Sequence, residues 1–264
     1  MSQLPLYIQR KILKYDEGVI ENKEAAVVME KPLTVFLNHN ELATLICSPG
    51  GLQELTAGFL LSEGLIQKRS DIEDIYCQEN EGLLYINTAF PVRQTDNFLR
   101  RHIASCCGKG RAGLYFINDA RQLQPVVSDW RIQDKRVIFL MDEFEKKADT
   151  FRLTGGVHSA ALADQSGIIM QYEDIGRHNA VDKILGCAFL NNISTEDKCL
   201  LLSGRVASEI LIKAARGSIA VILSRAAPTG LTLELAEELG ICVVGFARGK
   251  QFSVYTHSEK IIFG

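Results

Sequence analysis

The stretch Cys199-Leu200-Leu201-Leu202-Ser203-Gly204-Arg205 decides the fold. Four apolar residues run directly into a serine, a glycine and an arginine. A run so short and so continuously apolar is that of a strand buried on both faces. Ser208 to Arg216 then reads as a helix, and Ala220 to Leu223 repeats the strand. Gly230 to Leu239 is a second helix, closed by Gly240, and Ile241 to Phe246 and Phe252 to Thr256 are further strands. Upstream, Ala160 to Ala163 is an apolar stretch that Gln165-Ser166-Gly167 turns into Ile168 to Tyr172, and Arg177 to Asn191 fits another helix. Strands alternating with helices of this length imply an α/β fold, with parallel strand pairs and helices packed on the faces of the sheet.

The first part of the chain has a different pattern. Ala25 to Met29 and Leu33 to Leu37 read as strands around Lys31-Pro32, and Asn38-His39-Asn40-Glu41 turns into a strand from Leu42 to Cys47. After Ser48-Pro49-Gly50, apolar residues Leu52, Leu55, Phe59 and Leu60 recur at helical spacing, which predicts a helix from Gly51 to Ser62 that stops at Gly64. Ile72 to Gln78 and Leu83 to Thr88 flank Glu79-Asn80-Glu81-Gly82 as a hairpin. Phe90 to Asp129 has weak periodicity and reads as a join, and Val137 to Lys147 as a short helix. These patterns divide the chain into a smaller α+β domain over residues 1–112, ending in a cysteine-bearing loop, and a larger α/β domain over residues 113–264.

Composition excludes several classes. With 264 residues, 47% hydrophobic and 23% charged, the chain is of ordinary globular make-up. A formal charge of -3 gives no field for coating nucleic acid, so a bound anion has to be held by a local basic cluster. No apolar run approaches the roughly 20 residues of a membrane span, and Met1 to Arg10 lacks a signal-peptide core, so the cytoplasm is the expected location. Seven cysteines without framework spacing fit a reducing compartment.

Two of those cysteines are adjacent. Cys106-Cys107 sits between Arg100-Arg101-His102 and Lys109 and Arg111, within a run containing Gly108, Gly110 and Gly113. Nearby positive charge favours thiolate over thiol, and glycines give a loop reach, so this reads as a reactive loop. The plainer reading is a turn whose thiols fill space. An internal disulfide between adjacent cysteines closes a strained eight-membered ring and forms reluctantly.

Three turns in the second half share one layout, a strand running out into small or polar residues just before a helix. They are Glu173 to Asn179, Leu202 to Arg205, and Ser224 to Gly230. Ligands bind at such places in α/β folds, because helix N-termini present free N–H groups and partial positive charge. Arg177, Arg205 and Arg225 would add bidentate donors to phosphate. Each turn alone is equally a cap beside a solvated charge. A fourth basic turn, Gly245 to Gln251, leaves the last long strand and could close on the same anion. His158 and His178, with Cys187 or Cys199, invite a metal reading, but no paired-ligand spacing supports it, so no metal is assigned. Cys187 and Cys242 read as packing residues.

Several of these motifs together resemble the formate dehydrogenase accessory sulfurtransferase family, FdhD, over nearly the whole chain. The likeness rests on Cys47-Ser48-Pro49 with Leu55 to Ile66, on Thr154-Gly155-Gly156-Val157-His158 and on the string from Glu173 to Lys183. Ser203-Gly204-Arg205, Ala227-Pro228-Thr229 and Val244 to Arg248 complete it. The resemblance implies a cytidine-deaminase-like, three-layer larger domain without the zinc motif, and a homodimer. It implies a protein that accepts persulfide sulfur from a cysteine desulfurase. The sulfur passes to a molybdenum or tungsten bis-molybdopterin guanine dinucleotide destined for formate dehydrogenase. Together the resemblance and the turns assign cofactor binding to His158, Asp174, Arg177, His178, Ser203, Gly204, Arg205 and Ser224, and to Phe246, Ala247, Arg248, Gly249, Lys250 and Gln251. Many family members carry Cys-x-x-Cys, whereas the thiols here are adjacent, so the persulfide falls to Cys106 or Cys107.

Two other functions are compatible with the same residues. One is a cofactor-binding chaperone that escorts the cofactor to the dehydrogenase without moving sulfur. The other, a zinc-dependent deaminase, rests on fold likeness alone.

Overall fold

The computed structural model describes residues 5–90 and 123–264. The division at 112/113 and the pair Cys106-Cys107 lie outside the described residues. The structure is a mixed α/β assembly. Its main sheet has six strands: β8 (His158–Ala163), β9 (Ile168–Asp174), β10 (Cys199–Leu202), β11 (Val221–Ser224), β12 (Cys242–Arg248) and β13 (Gln251–Val254). They lie in the order β13-β12-β11-β10-β8-β9. β10, β11 and β12 are mutually parallel, and the outer pairings are antiparallel.

The apolar runs seen in the sequence are buried on both faces. Ala160, Leu162, Leu200, Leu202, Ile222 and Val243 meet helices α4 (Arg177–Leu190), α5 (Ser208–Arg216) and α6 (Gly230–Leu239). Their strand neighbours Ala161, Ala163, Cys199, Leu201, Val221, Leu223, Cys242 and Val244 point the other way. There they meet Val137, Leu140, Met141 and Phe144 of α2 (Asp134–Lys146). The alternation of side chains along each strand therefore produces three layers, helices on either side of one sheet.

The smaller unit is a four-stranded sheet in the order β4-β3-β6-β5, built from β3 (Lys31–Leu37), β4 (Asn40–Cys47), β5 (Ile72–Gln78) and β6 (Leu83–Thr88). Helix α1 (Leu52–Ser62) covers it through Leu52, Leu55, Phe59 and Leu60. Asn38 and His39 both have positive φ, 47° and 66°, which makes the β3–β4 connection a tight hairpin turn. β7 (Ile132–Gln133) and β14 (Ile261–Ile262) pair in a short ribbon. β1 (Tyr7–Asp16) and β2 (Val19–Val28) form a separate two-stranded sheet.

The two units join helix to helix. A Cβ on Gly186 of α4 would stand 2.6 Å from the backbone nitrogen of Gly58 on α1, and one on Gly58 would overlap the Asp182 backbone. Glycine at both positions lets the two helices approach at backbone distance. No helix among the described residues is long and apolar enough to cross a membrane.

Candidate functional site

Strand register gathers the predicted turns on one edge of the main sheet. His158, at the start of β8, is opposite Asp174, at the end of β9. On the other side of β8, Ala160 is opposite Leu202, the last residue of β10, and Leu202 is opposite Ser224, the last residue of β11. Leu223 is opposite Val244, so Gly245 and Phe246 continue the row. Turns that begin at Glu173, Leu202, Ser224 and Gly245 are thus side by side at the carboxyl ends of the parallel strands, where α/β sheets hold ligands.

Backbone bonds keep these turns together. Ser159 N donates to Ser203 Oγ at 2.9 Å, and Ser203 N donates to the Ser159 carbonyl at 3.1 Å. Ser224 Oγ donates to the Gly204 carbonyl at 2.8 Å and accepts from Ala226 N at 3.0 Å. Gly245 is wedged against this loop: a Cβ there would come within 3.1 Å of the Ala226 carbonyl and of Pro228. A bulge between Gly245 and Arg248 then turns the strand outward, with Phe246 at φ 51°. The Phe246 ring is exposed, and the Arg248 guanidinium lies 5.9 Å from its centroid.

The string from Glu173 to Lys183 divides into a buried part and a surface part. Asp174 is fully buried. One carboxylate oxygen accepts from Ser48 N at 3.0 Å and pairs with Lys183 Nζ at 2.7 Å; the other accepts from Gly176 N and Asn179 Nδ2, both at 2.9 Å. Ser48 Oγ in turn accepts from Ile175 N at 3.0 Å. Farther along α4, Asp182 takes two bonds from Lys213 Nζ, at 2.7 and 2.8 Å, and one from Ser62 Oγ at 2.6 Å. Its burial raises the carboxyl pKa, against the pull of Lys213.

Arg177 and His178, at the start of α4, are partly buried on the edge. His178 Nε2 lies 2.9 Å from Glu209 Oε2, in the first turn of α5. The close approach of His178 holds the Glu209 carboxyl below the usual carboxylate range despite partial burial, with help from Lys213 and Arg177. The His158 pKa is lowered by burial and then by its electrostatic interaction with Arg177 and His178. Glu173 turns away from the edge: its carboxylate accepts from Thr150 N at 2.8 Å and Phe151 N at 3.1 Å, at the start of the short helix α3 (Asp149–Thr154).

The edge therefore presents His158, Arg177, His178, Ser203, Gly204 and Arg205, followed by Phe246, Arg248, Gly249, Lys250 and Gln251. Asp174, Ser224 and Ala247 lie beneath it, buried, where they fix the shape of the turns. Arg225, read from the sequence as a phosphate donor, is drawn onto the opposite layer by Glu145 of α2 at 2.7 Å. None of the helices α4, α5 and α6, which begin after the turns of this edge, has a side-chain cap hydrogen bond at its N-terminus. Among the described residues no group of three or more histidine, cysteine, aspartate or glutamate side chains is gathered to hold a metal ion.

Of the five described cysteines, Cys47, Cys199 and Cys242 are buried, and burial pushes the Cys47 and Cys242 thiols up to about 12 and that of Cys199 higher still. These three are packing thiols.

A model of the FdhD/NarQ family matches residues 28–262. The chain belongs to the FdhD/NarQ family. Proteins named sulfur carrier protein FdhD from Bacillus subtilis and Geobacillus kaustophilus are 41% and 42% identical over 253 and 259 residues. The alignments cover 96% of both chains in the first case and 97% in the second. In three dimensions the FdhD/NarQ chain superposes on a crystal structure from Desulfotalea psychrophila, assigned as a formate dehydrogenase accessory protein. The TM-score is 0.81 at 25% identity, covering 98% of this chain and 100% of the other.

Sequence reasoning missed the supporting residues of this FdhD/NarQ edge. Glu209 read as the body of a helix, and its acidic place in a first turn was the available signal. Ser48 stood out as part of a motif, but its partner is 126 residues away.

Proposed function

We propose that this protein is a sulfurtransferase. It takes persulfide sulfur from a cysteine desulfurase onto Cys106 or Cys107 and passes it to the molybdenum or tungsten centre of a bis-molybdopterin guanine dinucleotide. The sulfurated cofactor then enters formate dehydrogenase, and the work is done in the cytoplasm by a homodimer. The observation that carries this reading is the single sheet edge on which His158, Arg177, His178, Arg205 and Arg248 are collected beside three uncapped helix N-termini. That edge suits a polyanionic substrate, because the guanidinium groups are bidentate donors to phosphate and the open N–H groups add donors that are already oriented.

Each part of the edge has a task in this scheme. The N-termini of α4, α5 and α6 and the arginines hold the phosphates of the cofactor substrate. Phe246, held at positive φ with its ring exposed, supplies an apolar face for a ring system. The basic flanks of Cys106-Cys107 keep a thiolate available to attack the outer sulfur of the donor persulfide. The names of the relatives, sulfur carrier protein FdhD, support the sulfur step. The three-layer main domain is compatible with a cytidine-deaminase-like fold and contributes the open edge, with no metal chemistry assigned to it.

A chaperone that escorts the cofactor without moving sulfur makes a different prediction. In cells lacking this protein, a double variant Cys106→Ala with Cys107→Ala fails to restore formate dehydrogenase activity if sulfur transfer is the function. Restoration by the double variant, together with failure of Arg177→Ala, establishes the chaperone instead.

A further inference from the structure

The four-stranded sheet β4-β3-β6-β5 turns one face to α1 and leaves the other open. Leu33, Val35, Leu84 and Ile86 point into the core beneath the helix. The residues that alternate with them point the other way: Thr34 and Phe36 on β3, Tyr85 on β6, and likewise Tyr76 on β5 and Ile46 on β4. Among the described residues all of these are partly or largely exposed, Tyr76 at 56% and Ile46 at 37%.

Register draws three aromatic rings into a row across this open face. Phe36 is opposite Tyr85, and Tyr85 is opposite Tyr76. The centroids of Phe36 and Tyr85 are 4.9 Å apart with ring planes 16° from parallel, and those of Tyr85 and Tyr76 are 6.5 Å apart at 26°. The row ends at Tyr76, because β5 is an edge strand. The outer side of the last ring is therefore a π face with no neighbour in the row.

Charge limits what can sit there. The strands β3 to β6 and the turns within their hairpins carry Glu41, Glu73, Asp74, Glu79 and Glu81 against one lysine, Lys31. Glu41 is opposite Phe36, at one end of the row, and Asp74 precedes Tyr76 by two residues on the same face. Arg69, the nearest arginine before β5, is turned onto the Ile72 carbonyl at 3.1 Å. Aromatic rings attract cations, a planar guanidinium above all, and neighbouring carboxylates add complementary charge. Nucleic-acid bases would also stack on such a row, but their phosphates would meet the carboxylates as like charges.

The size of the face points the same way. Four strands about 4.8 Å apart and six residues at about 3.3 Å each give roughly 19 Å by 20 Å, on the order of 400 Å². That area fits one extended segment and belongs to the small, transient end of protein interfaces.

We infer that this open face is a docking surface for an arginine-bearing segment of a partner protein. A guanidinium stacks on Tyr76 with Asp74 as its counter-charge, and Glu41 receives a second basic group beyond Phe36. The face communicates with the candidate site through Ile46: its side chain belongs to the open face, and its carbonyl accepts from Asn179 Nδ2, in the first turn of α4, at 2.8 Å. A partner seated there touches the strand end that holds Arg177 and His178 in place. This inference stands independently of the sulfur-transfer reading.

NMR titration of the full chain tests it, following the tyrosine ring resonances. The probes are a short peptide alternating arginine with leucine, the same peptide with glutamate for arginine, and oligo(dT). The arginine peptide should shift the Tyr76 and Tyr85 rings. Its dissociation constant should rise about tenfold in Tyr76→Ala and about threefold in Asp74→Asn, each confirmed as folded by circular dichroism. No shift with the arginine peptide, equal shifts with the glutamate peptide, or unchanged affinity in both variants overturns the inference. Shifts of the same rings by oligo(dT) overturn it in favour of a nucleic acid. Ring shifts that follow protein concentration without any peptide overturn it in favour of a second copy of the chain.

Discussion

Ser48 and Asp174 are bound to each other's chain segment in both directions: the Ser48 amide donates to the Asp174 carboxylate, and the Ile175 amide, next to Asp174, donates to Ser48 Oγ. This double tie connects the loop after β4 of the smaller unit to the turn that begins α4. It positions Arg177 and His178 from below. Lys183, 1% exposed, completes the cluster by pairing with Asp174 and donating to the Ser48 carbonyl at 3.1 Å. Asp174→Ala leaves that ammonium buried without its counter-charge, so urea unfolding should show a loss of about 3–5 kcal/mol. Ser48→Ala, which removes the bond from Ile175 N, should cost about 1–2 kcal/mol.

Close helix contact makes a separate prediction for Gly186. Alanine there meets backbone atoms of Glu54 and Gly58, which cannot rotate aside. Gly186→Ala should destabilise by about 2–3 kcal/mol. Gly230, at the first position of α6, has nothing within 4 Å of a built Cβ, and Gly230→Ala should change stability by less than about 0.5 kcal/mol. Equal effects at the two sites would contradict the backbone-contact explanation.

The lowered pKa of His158 gives a pH dependence with a definite sign. Folding reduces its proton affinity, so the unfolded chain binds more protons between the folded value and the ordinary 6.5. Its contribution to stability is fully present above 6.5 and is lost as pH falls through the folded value. Arg177→Ala removes one source of the shift, and the His158 ring resonances followed by NMR should then titrate at higher pH than in wild type. An unchanged midpoint would mean that Arg177 does not contribute to the shift.

Arginines on and off the edge should behave differently towards a guanine nucleotide. Arg177→Ala or Arg248→Ala removes a charged donor facing the edge and should weaken guanosine diphosphate binding about tenfold in calorimetry. Arg225, held by Glu145, should tolerate alanine within about twofold.

Local chemistry made much of this molecule legible in its sequence. The hairpin of Ile72–Gln78 and Leu83–Thr88 and the helix Gly230–Leu239 have the bounds that their apolar spacing and turn residues dictate. The alternation of strand and helix after Glu173 is realised as the parallel core β10-β11-β12. Elements set by distant partners were harder to read. β1 has a charged, exposed pattern with no face turned to a core, and so gave no strand signal. α3 is only six residues long and receives its N-terminal acceptor from Glu173 on β9, so no local pattern singled it out. α2 begins at Asp134 rather than Val137 because its first turn is polar. β12 runs on to Arg248 beyond the predicted end at Phe246, because β13 pairs with it past the bulge. In the site, Arg177 and His178 were legible as a basic helix start, whereas the inward turn of Asp174 depends on Ser48 and Lys183, which no local pattern reveals.

The most direct test of sulfur transfer is mass spectrometry of peptides after incubation with a cysteine desulfurase and cysteine. The prediction is the added mass of one sulfur atom on the peptide containing Cys106 and Cys107, removable by reductant, with Cys47, Cys199 and Cys242 unmodified. A peptide that carries no added sulfur under conditions where the desulfurase itself is persulfidated would contradict it.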